Sequence, residues 1–193
     1  MIQSEHTFVI NTSIDQVWKY VNDIQGWASI FPGYQDCNLI DEDRSTWTIK
    51  VSAAGVTRTD KVQVHVEKWD GPTQVDFRFD VDDLPVEGNG AYIASAKNAN
   101  ETEVSLKVCI IGSGPMAPMW EAVGTPMLPE FVKGFAAKLK AEIELVSGVG
   151  SVGAADTPMA MPMVKGMIQS LFAAFKSKIK ALFGMSSNNE GSL

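Results

Sequence analysis

Few side chains in this chain are suited to chemistry, and they are scattered. The two histidines, His6 and His65, lie in segments of alternating hydrophobicity, where the pattern places both on wet strand faces. Neither has a Ser–His–Asp or Cys–His partner set visible in the sequence. Cys37 and Cys109 make no C-x-x-C pair and stand in apolar surroundings, so both are expected as reduced core residues. Asp80, Asp82, Asp83 and Glu87 gather carboxylates without the spacing of a calcium loop, which makes a solvated acidic turn the expectation. Gly148, Gly150 and Gly153 spell G-x-G-x-x-G. A dinucleotide loop would need a strand before that run and a helix after it. Here a helical pattern precedes and a proline-containing stretch follows, so a linker is expected. No catalytic residue, metal set or certain cofactor emerges.

With catalysis poorly supported, binding surfaces carry the reading. The chain has 193 residues, 45% hydrophobic and 20% charged, enough for one domain with a sizeable core and an appendage. The formal net charge of −7 argues against a broad nucleic-acid footprint, which requires cationic surface. The charge is uneven: residues 158–184 hold lysines and no acid, whereas the rest is strongly acidic. Residues 1–6 lack the basic start and apolar run of a secretory signal, so a cytoplasmic chain is expected. No stretch reaches the 18 uncharged apolar residues of a membrane span.

The basic segment is amphipathic. Val164, Ile168, Leu171, Phe175, Ile179 and Leu182 recur at helical spacing, with Met167, Phe172 and Phe183 beside them. Lys176 and Lys180 fall opposite the stripe and Lys178 at its edge. This is the design of a helix lying in an anionic membrane interface, where each lysine contributes about 1 kcal/mol. The alternatives are docking onto a partner, docking onto its own acidic body, or forming a dimer. The expected layout is a folded domain over 1–147, a flexible linker over 148–162, the basic amphipathic helix over 163–184 and a disordered tail over 185–193.

The elements that must build the domain follow from periodicity. A short strand is expected over Glu5–Ile10, then a helix over 13–23 opened by Asn11-Thr12-Ser13. A second short helix carries Ile24, Trp27, Ile30 and Phe31 and stops at Pro32-Gly33. The period then changes to two: Cys37 and Leu39; Trp47, Ile49 and Val51; Val62, Val64 and Val66; Val75, Phe77, Phe79 and Val81; Val104, Leu106, Val108 and Ile110. Such alternation marks antiparallel strands with one buried face. A further strand over 86–97 carries Gly88 and Gly90, which suggest a bulge or bend. After Pro115 the period returns to 3.6. Pro126 and Pro129 predict a broken helix: a short piece to about 123, then a long one near 127–147. One sheet and one long helix make an α+β domain, a curved antiparallel sheet wrapped around the helix.

The order of elements, with Phe8-Val9-Ile10, Val17-Trp18, Asp23, Trp27 and Phe31-Pro32-Gly33, resembles the START/Bet v 1-like (SRPBCC) superfamily. Within it the chain is most similar to the family of G-type accessory subunits of carbon monoxide dehydrogenase, over roughly residues 2–146, including the glycine strand Val86–Gly90 and the helix run Phe135–Leu139. The resemblance implies a helix-grip fold with an internal apolar cavity for a quinone, lipid or other hydrophobic small molecule. It further implies a non-catalytic module that links a molybdenum-containing carbon monoxide dehydrogenase, or a similar oxidoreductase, to the inner face of the cell membrane. The cavity is expected to be lined by Trp27, Phe31, Trp47, Phe77, Phe79, Ile93, Met116, Met119, Trp120, Met127, Phe131 and Phe135. Two alternatives stay open: a polyketide cyclase or aromatase of the same fold, which would turn ionisable groups inward, and a purely structural tether with a packed interior.

Overall fold

The protein is described here by a computed structural model, which describes residues 1–53 and 56–149; the side chains of 51–53, 56, 116, 119, 120 and 123 fall outside that description. The elements run β1 (Ile2–Ile10), α1 (Ile14–Val21), α2 (Ile24–Ser29), β2 (Tyr34–Leu39), β3 (Arg44–Ala53), β4 (Val56–Asp70), β5 (Gln74–Val81), β6 (Val86–Asn98), β7 (Glu101–Gly112) and α3 (Ala117–Val146), with a 3-10 turn at Gly114–Met116. The chain divides into two compact units, Met1–Lys50 with Thr59–Thr157, and Val51–Arg58 with Pro158–Leu193. Of the second unit only the strand ends 51–53 and 56–58 are described. The first carries everything that follows.

Seven strands form one sheet in the order β1-β7-β6-β5-β4-β3-β2. All consecutive strands from β2 onward are neighbours, and the first strand closes beside the last. Register fixes the faces. Val75 lies opposite Tyr92 and Tyr92 opposite Leu106; His6 lies opposite Leu106. The buried positions Ile10, Val66, Val75, Ala94 and Val104 all fall on this concave face. The intervening positions carry Glu5, Lys107, Ser105, His65 and Arg78, which bond to one another on the convex side.

Helix α3 lies along β1. Lys140 Nζ donates to the Val9 carbonyl near its end. The Asn11 amide donates to Glu144 at 2.8 Å. Near its start, Gly124 faces the Ile2 side chain, with no room between them for a Cβ. Leu128, Val132, Ala136, Leu139 and Ile143 form its fully buried stripe, each large apolar side chain contributing about 1.5–3 kcal/mol when removed from water. The expected break does not occur: α3 is one 30-residue helix with Pro126 and Pro129 inside it. The two prolines sit three residues apart on one exposed face. The carbonyls they leave without an amide partner therefore face water, which tolerates them. The helix ends in a Schellman closure: Gly148 has φ 70°, its amide meets the Leu145 carbonyl at 3.1 Å and the Val149 amide meets that of Glu144 at 3.0 Å. The first glycine of the G-x-G-x-x-G run is therefore a helix C-terminal residue, where a left-handed backbone favours glycine.

The small helices close one end of the sheet. Val17 and Val21 of α1 are buried, and Asp23 caps α2 by accepting from the Gln25 amide at 3.0 Å. Gly33, at φ 84°, turns the chain into β2, where its carbonyl takes the Lys50 amide at 2.7 Å.

Candidate functional site

The concave face loosens in one direction along β4, β5 and β7. On β5, Val75 is 1% exposed, while Phe77, Phe79 and Val81 are only half-buried. On β7, Val104 is 0% exposed, while Val108 and Ile110 are half-buried. On β4, Val66 and Val64 are buried and Val62 is not fully so. These are the same end of the sheet, since Val62 pairs with Val81 and Phe79 with Gly88, itself opposite Ile110. Apolar side chains aimed at the helix layer yet partly open are what a binding recess looks like from its walls.

At the boundary between the filled and open ends sits an aromatic chain. Trp27 of α2 meets Trp47 of β3 edge-on at 5.8 Å and Phe77 of β5 at 5.7 Å. Phe31, just after α2, meets Trp47 at 5.6 Å, Phe131 at 5.2 Å and Phe135 at 6.4 Å. Four elements are thus tied through six rings in the tilted and edge-to-face geometries that aromatic quadrupoles favour. The Trp47 indole donates to Ser45 Oγ at 2.9 Å.

Two polar atoms here are different. Trp27 Nε1 and the Tyr92 hydroxyl are buried and have no hydrogen-bond partner among the described residues. Tyr92 is 4% exposed, and burial pushes its phenol far above the usual tyrosine value, so it stays a neutral O–H. Next to it the Phe77 ring lies over Gly90 and the Phe79 ring over Gly88. That is why β6 has glycines there. The expected bulge is absent, and pairing with β5 runs unbroken from Gln74–Ile93 to Asp80–Glu87.

Of the residues read from sequence as cavity lining, Trp27, Phe31, Trp47, Phe77, Phe131 and Phe135 meet in the ring chain, and Phe79 stands beside it on the concave face. Met127 is half-buried on α3. Ile93 is a correction. It pairs with Gln74 and Ser105 and is 36% exposed on the convex side, while Tyr92 takes the inward place. Met116, Met119 and Trp120 have side chains outside the description. So does the whole set Val164, Met167, Ile168, Leu171, Phe172, Phe175, Lys176, Lys178, Ile179, Lys180, Leu182 and Phe183.

Two further corrections concern reactive groups. His6 is on the concave face, half-buried, its ring stacked on Phe8 at 6.0 Å. Cys109 lies on the convex side and is only half-buried, whereas Cys37 is buried. Burial, with help from the negative charges of Asp36 and Asp23, raises the Cys37 thiol, which keeps it protonated and unreactive. In the acidic turn Asp82 accepts from the side-chain Nε2 of Gln63 at 3.2 Å. Among the described residues no group of three or more His, Cys, Asp or Glu is placed to hold a metal, and no helix is long and apolar enough to cross a membrane.

The profile of a family described as polyketide cyclase/dehydrase and lipid transport matches residues 1–144. The chain belongs to that family. Solved structures agree on the fold. A conserved protein from Geobacillus kaustophilus superposes with a TM-score of 0.65 at 16% identity, covering 75% of this chain and 96% of that one. A START superfamily protein from Mycobacterium smegmatis gives 0.56 at 12% identity, over 75% and 98%. The di-domain aromatase/cyclase BexL of the BE-7585A biosynthetic pathway gives 0.56 at 21% identity, over 76% of this chain and 48% of that one. No curated protein matches the sequence. The family's description spans catalysts and carriers, so the choice between them falls to the site of this member.

Proposed function

We propose that this family member is a non-catalytic binding module for an apolar small molecule, seated between the open end of the concave face and the first half of α3. One observation carries the reading. From Val62 onward on β4, and throughout β1, β5, β6 and β7, the concave positions hold no Asp, Glu, Lys or Arg; Asp60, near the β4 tip, is the nearest carboxylate in that alternation. A wall of this kind supports binding through apolar area and offers little for acid–base chemistry.

The test uses the full chain and N-phenyl-1-naphthylamine, a neutral probe that brightens in apolar surroundings. Saturable one-to-one binding, lost in Phe79→Asp while the fold persists by circular dichroism, is expected. Absence of saturable binding, together with native mass spectra free of any retained small molecule, would sink the reading.

A cyclase reading is favoured by His6, a titratable ring on the concave face beside Phe8. It predicts turnover of a poly-ketone substrate that His6→Ala abolishes. The finer proposal is that the module acts as the G-type accessory subunits of carbon monoxide dehydrogenase do: it holds a quinone or lipid and tethers a molybdenum-containing oxidoreductase to the membrane. The sequence resemblance and the lysine-bearing apolar stripe of 163–184 support it. Flotation of the full chain with vesicles containing phosphatidylglycerol, and not with phosphatidylcholine alone, is the expected result.

A further inference from the structure

We propose that Tyr92, seconded by Trp27, is the polar anchor of this site and selects apolar ligands that carry a hydrogen-bond acceptor, such as a ketone, ester or quinone carbonyl, over plain hydrocarbons and over carboxylic acids. The proposal rests on the binding reading above and narrows its ligand class.

The donor inventory supports this choice. An indole N–H only donates, and a phenol donates or accepts. The one partner that satisfies both is an acceptor oxygen. Folded proteins seldom leave such groups buried without a partner, and the exceptions call for an explanation. The Trp27 ring touches that of Phe77 directly, and Tyr92 stands two residues after Gly90, over which the Phe77 ring lies, on the same face of β6. The Tyr92 hydroxyl is not needed for packing: phenylalanine would fill that place without an orphaned polar atom. An acid is disfavoured because the concave positions named above supply no cation, and an ionised carboxylate buried without one is costly.

The test compares 2-acetylnaphthalene with 2-ethylnaphthalene, which differ by a carbonyl in place of a methylene, binding to the full chain. In Tyr92→Phe the ketone is expected to lose about tenfold in affinity, equivalent to about 1.4 kcal/mol, the size expected for one lost hydrogen bond, while the hydrocarbon stays within about twofold. The ketone C=O stretch of the bound probe should rise in Tyr92→Phe relative to wild type, a change that altered packing would not produce. Trp27→Phe should act in the same sense. Equal losses for both probes, or no change for either, would overturn the proposal and leave the binding reading intact. If neither probe binds wild type, both fall. The variant's own melting temperature decides a further point. It should equal or exceed wild type, and a marked fall would mean that the hydroxyl already has a partner within the fold, which also overturns the proposal.

Discussion

Gly90 offers a sharp test of how the open end is built. Its alternation-mates on β6, Tyr92 and Ala94, are ordinary side chains, and a strand interior gains from replacing glycine, by about 0.5–1 kcal/mol for alanine. Here the opposite is expected. A Cβ on Gly90 would stand 2.5 Å from the Phe77 ring and 2.7 Å from the Lys107 carbonyl oxygen. The carbonyl belongs to the ladder and cannot retreat, and the ring is held from above by Trp27 at 5.7 Å. Forcing a methyl into such a space costs about 1–3 kcal/mol. The net loss for Gly90→Ala should be about 1–2 kcal/mol, or roughly 2–8 °C in Tm for a domain of this size. Gly134→Ala is the internal control: nothing lies within 4 Å of its built Cβ, and in the middle of α3 the change should stabilise by about 0.5–1 kcal/mol. Calorimetry or urea titration of the two variants reads both. Adding Phe77→Leu should make Gly90→Ala cheaper by about 1 kcal/mol in a double-mutant cycle, because the two are in contact. If Gly90→Ala is as stable as wild type, or the cycle shows no coupling, the account of rings lying on a glycine floor is wrong.

Other outcomes follow from the same packing. Phe31→Ala removes the ring that joins β3 to α3 and should cost about 3 kcal/mol; Phe79→Ala, at the looser end, should cost clearly less, and urea midpoints rank them. Glu144 provides the pH test. Burial opposes its ionisation, but bonds from Lys140 and from the Asn11 amide and side chain outweigh it and hold the carboxyl below its usual range. A depressed folded value means that the stabilisation is complete above the unfolded value of about 4.3 and is lost as pH falls through the lower folded one. The Tm advantage of wild type over Glu144→Gln should therefore be constant near neutrality and shrink below about pH 4.3. An advantage that is the same at pH 3 and pH 7 would contradict the assignment.

The parts of the fold that periodicity reached are those where every second or every third-to-fourth residue is apolar. The Val62–Val66, Val75–Val81 and Val104–Ile110 strands and the Leu128–Ile143 stripe are of that kind. Large aromatics at such positions also pointed inward, so the Trp27, Phe31, Trp47 and Phe77 group was legible as an assembly from the sequence. Reading failed where the signal depends on a partner strand. In β6 the inward residues are Gly88, Gly90, Tyr92 and Ala94, a series with no hydropathy contrast, and the most apolar residue, Ile93, sits on the other face. The alternation could have been set by the cross-strand phenylalanines, since a glycine two places apart opposite Phe77 and Phe79 is where rings lie down. Prolines misled for a related reason. Their cost inside a helix depends on whether the orphaned carbonyls meet water, and only the tertiary placement of Pro126 and Pro129 on the exposed side decides that. The β1 alternation conceals the inward place of His6, because Ser4 and His6 occupy two inward positions between the apolar Ile2 and Phe8.

The two ends of the interior are covered by different halves of α3. A 30-residue helix is about 45 Å long at 1.5 Å per residue. An eight-residue strand such as β5 spans about 26 Å at 3.3 Å per residue. β5 alone therefore falls short of the length of α3, while its neighbours β4 and β6, with 15 and 13 residues, are longer. The C-terminal half of the helix, with Leu139 and Ile143, meets the end that α1 closes with Val17 and Val21, and there the interior is filled. The first half of α3 lies over the other end, with Gly124 against Ile2 opposite Ile110, and there Phe77, Phe79, Val108 and Ile110 remain half-open. In that arrangement stability and binding draw on different stretches of the same strands. Substitutions at Val75 or Val104 should unfold the protein, whereas those at Val81 or Ile110 should change what it holds.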